Sequence, residues 1–89
     1  MMHETAIVND LLGRAEAEAE ARGDHTVIAA LKLRIGALSG ISSESLRQHA
    51  DRIALGMWGY SPELDIEESQ DPTEANAQGV VLVSVRLEE

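Results

Sequence analysis

The chain has 89 residues, 16 acidic against 7 basic, for a formal charge of −9; it has no cysteine, no phenylalanine, one tryptophan (Trp58) and one tyrosine (Tyr60). That charge repels phosphate backbones and anionic lipid, so nucleic acid and membrane surfaces are disfavoured as partners, while cations or a basic protein face are favoured. The lack of cysteine excludes disulfides, thiolate metal sites and cysteine nucleophiles, and no apolar run approaches the roughly 20 residues of a membrane span.

A chain this short is expected to form one domain with a modest core of Leu, Ile, Val and Ala. A thin core leaves a homo-oligomer open as a further source of stability. The segment MMHETAIVNDLL has no basic region and carries Glu4 early. It does not read as a signal peptide, and the expected location is the cytoplasm.

Residues 4–22 are expected to form a helix, with Ile7, Val8, Leu11, Leu12, Ala15 and Ala19 on one face. The run AEAEAEA alternates as a strand would, but Ala and Glu form helices well and strands poorly. Glu16, Glu18 and Glu20 read as a solvated face, because bare carboxylates bind metal weakly without a preorganised cage. Gly23 after Arg22 suits a helix C-terminus.

Residues 26–35, TVIAALKLRI, read as a strand. Alternation puts Val27, Ala29, Leu31, Leu33 and Ile35 on one face and Ile28, Ala30, Lys32 and Arg34 on a half-wet face. The glycines of GALSG bracket a turn. Ser42 or Ser43 then caps a second helix with Glu44 in its first turn. It is expected to run to about Leu55, burying Leu46, Ala50, Ile53 and Ala54, with Gly56 as its end. MWGYSP reads as a loop, whose aromatics Trp58 and Tyr60 are read as packing anchors in preference to a contact patch.

Residues 63–68, ELDIEE, read as a short strand with Leu64 and Ile66 inward. Asp65, Glu67 and Glu68 face water, where charge blunts a sheet edge. Residues 69–78, SQDPTEANAQ, form a polar connection marked by Pro72. Residues 79–88, GVVLVSVRLE, are a strand of β-branched and Leu residues. The order α-β-α-β-β predicts an α+β fold: two helices on one face of a small three-stranded mixed sheet.

These blocks carry a resemblance. Met2-His3-Glu4, followed by Ile7 and Leu11-Leu12, is similar to the opening of the HypA/HybF family of nickel-delivery proteins that mature [NiFe]-hydrogenases. The most specific block is KLRIGALSGISSESLR, residues 32–47. Gly56 with Leu64-Asp65-Ile66, and then GVVLVSVRLEE, resemble the family's second and closing strands. Family members insert a zinc domain, held by two Cys-x-x-Cys pairs, between those strands. Here the short loop at 69–78 takes that place, so the resemblance covers the nickel-binding domain alone, residues 1–89, and no zinc is expected. After SLR the family usually carries Phe residues; this chain has Gln48, His49 and Ala50. The resemblance implies a metallochaperone that passes Ni(II) to a maturation GTPase or an apo-metalloenzyme such as [NiFe]-hydrogenase.

The metal chemistry can also be read from the residues. A terminal amine, neighbouring amides and an early imidazole wrap one ion in a plane of nitrogens, which suits Ni(II) and Cu(II). Binding requires these groups to lose protons. If Met2 is the true start, the donors are the Met2 amine, the His3 and Glu4 amides and the His3 imidazole. If Met1 is retained, they are the Met1 amine, the Met2 and His3 amides and His3 Nδ1. Glu4 can orient the imidazole or supply a carboxylate. The candidate site is therefore Met1, Met2, His3 and Glu4.

Other candidates carry bland readings. His25 is expected at a strand edge facing water. His49 is expected on the surface of the second helix, and joins a metal site only if the fold brings it to the N-terminus. Ser39, Ser42, Ser43 and Ser45 read as turn and capping residues, because GALSG lacks the G-x-S-x-G order of a nucleophile elbow. No catalysis is expected. The alternative to a metallochaperone is a metal-free adaptor that keeps the fold and acts by protein contacts, for instance toward a nitrile-hydratase-type enzyme.

Overall fold

The computed structural model describes residues 4–23 and 26–88. They form α1 (Glu4–Arg22), β1 (Val27–Ile35), α2 (Ser43–Trp58), β2 (Glu63–Glu68) and β3 (Val80–Glu88). The sheet order is β2-β1-β3, with β1 parallel to β2 and antiparallel to β3. This is the expected α+β arrangement with a mixed sheet. Parallel β1 and β2 need a crossover, which α2 supplies. No helix among the described residues is long and apolar enough to cross a membrane.

The core lies between the helices and one sheet face. Val8, Leu11, Leu12, Ala15 and Ala19 of α1 and Leu46, Ala50 and Ala54 of α2 are buried against Ile28, Leu31, Leu33, Ile35 and Leu64 of the sheet. With no Phe available, alanines on the helices keep the layer thin and aliphatic side chains fill it. The opposite sheet face carries charge: Glu67 pairs with Arg34 at 3.1 Å and with Lys32 at 3.8 Å, and Arg86 lies 3.6 Å from Glu63. Such exposed pairs add little stability.

Two expectations for these elements are corrected. In β1 the alternation breaks: Ile28 is buried with Leu31, and Val27 is 47% exposed. The pairing steps from Ile28↔Leu87 to Ala30↔Arg86, so Ala29 is an extra residue. A bulge of this kind moves every side chain before it to the other face. In α2, Gly56 is not the end; the helix continues through Met57 and Trp58 to a C-cap at Gly59, whose φ of 77° is the left-handed conformation glycine tolerates. A glycine inside a helix costs about 1 kcal/mol, which tertiary packing can override.

The connection from β2 to β3 must cross the end of β1, because β3 lies on the far side of it. Ser69 donates its N–H to Ile35 O, Gly36 donates to Gly79 O at 2.8 Å, and Leu38 donates to Ala77 O at 2.7 Å. Ala77 is buried. A Cβ on Gly36 would stand 2.2 Å from Ala77 O, so only glycine permits this crossing. Within the connection, the Thr73 hydroxyl and then its amide bond the Asp71 carboxylate and hold it below the ordinary carboxylate range.

Candidate metal centre at the head of the first helix

Met1, Met2 and His3 lie outside the described residues, as does His25. Glu4 is the first described residue of α1. Its side chain is held by α2: Glu4 Oε2 accepts from the Ser45 hydroxyl and lies 3.3 Å from His49 Nδ1. Both carboxylate and imidazole are half-buried.

The sequence sets this geometry on α2. Ser42, in extended conformation, caps the helix by accepting from Ser45 N at 3.1 Å. That places Ser45 in the first turn and His49 four residues on, above it on the same face. His49 Nδ1 is 2.9 Å from Ser45 O. The helices run in the same direction, because Glu4 meets the start of α2 and Glu16 meets its end at Trp58. The expectation that His49 is a plain surface residue is therefore corrected: the fold brings it to the head of α1. Ser45 was not singled out for this contact; its i,i+4 spacing to His49 was the available signal.

Among the described residues no group of three His, Asp or Glu side chains is arranged to hold a metal. What the described residues bring together is the Glu4 carboxylate, next in the chain to His3, and the His49 imidazole. An open cleft of about 690 Å³ adjoins the site, lined by Glu4, Ile7 and Asp10 of α1, the turn at Leu38–Ile41 and the start of β3.

Ser45, Glu4 and His49 form no nucleophilic triad. The carboxylate sits between hydroxyl and imidazole, whereas an activated serine needs the imidazole against its Oγ. Ser39 accepts from Ile41 N within its turn.

At the other end of the helices, Trp58 Nε1 donates to Glu16 Oε2 at 2.9 Å, and the Tyr60 hydroxyl accepts from Ile28 N at 3.0 Å. The two rings lie 6.0 Å apart, tilted by 31°. Both aromatics are thus packing anchors. Glu16 is not a freely solvated carboxylate, as read from the alternating run, but the acceptor for Trp58.

Comparison with known proteins agrees with this frame. The family model described as "Hydrogenase/urease nickel incorporation, metallochaperone, hypA" matches residues 2–78. The hydrogenase maturation factor HypA of Picosynechococcus sp. is 39% identical over 66 residues, which cover 74% of this chain and 58% of that protein. The chain thus spans little more than half of that relative's length, and the family match ends before β3. No solved structure matches the chain. The match from the head of α1 through β2 shows that the chain belongs to the HypA family of hydrogenase/urease nickel-incorporation metallochaperones.

Proposed function

We propose that this protein carries Ni(II) as cargo at the head of α1 and hands it to a maturation GTPase or an apo-metalloenzyme of the hydrogenase or urease class. The ligands are the terminal amine, the adjacent amides and the His3 imidazole; Glu4 is a supporting carboxylate and not a primary donor. The observation that supports this reading is the Glu4 carboxylate, next in the chain to His3 and held by Ser45 and His49 of α2. The family match begins at Met2, in keeping with the resemblance of Met2-His3-Glu4 to the family's opening. The chain performs no catalysis in this reading. It acts in the cytoplasm as one domain, with the connection after β2 standing where relatives carry zinc.

The test begins with intact mass of the untagged protein, to establish whether the amine belongs to Met1 or Met2. Ni(II) titration followed by calorimetry and absorption is then expected to show uptake of about one ion, lost in His3→Ala. Equal nickel uptake by both proteins would overturn the proposal in favour of a metal-free adaptor.

A further inference from the structure

We propose that the open cavity beside Trp58 and Tyr60 is a binding site for a guanidinium group, presented as an arginine side chain by a partner protein. The cavity lies toward the opposite end of α1 from Glu4, and the inference is independent of the nickel-carrier reading.

The cavity has a volume of about 350 Å³. Trp58, Tyr60, Glu16, Glu20 and Val27 line it, and no lysine or arginine does. Glu16 and Glu20 are four residues apart on one face of α1, where like charges destabilise each other. A cation set beside them relieves that repulsion, and the chain's net charge of −9 adds to its attraction. The walls decide which kind of cation fits. Among the described residues no three acids or histidines are grouped to hold a metal, and two carboxylates fall short of the roughly six oxygens that Ca²⁺ or Mg²⁺ takes. Aromatic walls suit an organic cation, which the ring quadrupole attracts. Carboxylates also call for N–H donors, which a quaternary ammonium lacks. A lysine ammonium is compact and strongly hydrated. A guanidinium is planar and weakly hydrated, stacks on aromatic rings and donates to a carboxylate as a fork.

The lining is held in place by the protein's own bonds. The Trp58 indole N–H donates to Glu16 Oε2 at 2.9 Å, and the Tyr60 hydroxyl accepts from Ile28 N at 3.0 Å. The first bond engages Oε2 of Glu16 and leaves Oε1 out of it. Glu20 is exposed. Val27, 47% exposed, offers apolar surface to the methylene stem that carries a guanidinium.

The experiment uses the full chain and, as probe, arginine capped as its acetyl methylamide. Trp58 is the one tryptophan, so its indole N–H resonance is a single reporter. The probe is expected to shift that resonance and the Tyr60 ring signals saturably, with a Kd of about 1–10 mM. The capped lysine counterpart is expected to bind more weakly, and so is free arginine, whose carboxylate the acids repel. Circular dichroism checks that each variant is folded. Glu16→Gln is expected to weaken binding about tenfold, and Glu20→Gln, which leaves the Trp58 bond intact, about threefold. Glu18→Gln removes the same charge outside the lining and should change nothing. A flat titration overturns the proposal, as does equal weakening by Glu18→Gln, which would mean diffuse charge alone. Equal binding of the capped lysine overturns the guanidinium assignment. Tighter binding of free arginine, or the same shifts with magnesium chloride alone, overturns the protein partner.

Discussion

The two helices are joined at both ends by a glutamate of α1, and the two junctions are built differently. At the aromatic end, Glu16 meets the indole N–H of Trp58 while the Tyr60 hydroxyl takes the Ile28 amide. The indole N–H and the phenol oxygen there each have one partner, and the rings lie 6.0 Å apart. At the head of α1, Glu4 is held by two groups, Ser45 and His49, and the imidazole keeps a second nitrogen outside those contacts. The first junction has the makeup of a clasp. The second sets a carboxylate beside both a hydroxyl and an imidazole at the head of α1. Two glutamates spaced along the same helix thus acquire different surroundings according to what α2 sets against them.

The comparison can be broken by changes that reach one junction or both. The largest effect is expected from Leu46→Ala. Leu46 is fully buried next to Ser45, and removing such a side chain costs about 2–5 kcal/mol. Urea unfolding should show that loss, with the two junctions failing together because the core beneath them is shared. Next is Gly36→Ala, which forces a Cβ into Ala77 O; overpacking of this kind costs roughly 1–3 kcal/mol. Its thermal midpoint should fall, and hydrogen exchange should rise first in the connection before β3.

Glu4→Gln sharpens the contrast. It keeps the size of the side chain but removes the charge that holds Ser45 and His49. Supporting groups of this kind change metal affinity about 10-fold to 100-fold, so nickel affinity should fall by about tenfold at least while the thermal midpoint moves little. Trp58→Phe is its mirror. Loss of the indole N–H should cost about 1 kcal/mol of stability, with nickel affinity unchanged. A large loss of nickel affinity in Trp58→Phe would remove the distinction between the two ends.

How much of this was legible in the sequence depends on range. The C-terminal end of α1 and both ends of β2 follow from local composition, since helix formers, a basic last turn and alternating Leu and Ile act within a few residues. The end of α2 was misread because Gly56 and Gly59 look alike in sequence, and only the latter takes the left-handed cap conformation. The face pattern of β1 was misread because the extra residue at Ala29 is defined by its partner strand, which alternation within one strand cannot reveal. The same holds at the site. His3 and Glu4 could be picked from the opening motif, but Ser45 and His49 reach Glu4 only through the parallel packing of the helices. Glu16 likewise looked solvated because its partner, Trp58, lies far along the chain.

The account depends on the terminal amine being a ligand, so the sharpest measurement moves that amine and leaves every side chain in place. Adding a Gly-Ser dipeptide ahead of the authentic N-terminus breaks the run of fused chelate rings that begins at that amine. Titration of Ni(II) into the extended and parent proteins side by side is predicted to show strong binding in the parent and its loss in the extended form. Equal affinities would contradict the account, because they would mean that side chains alone hold the ion.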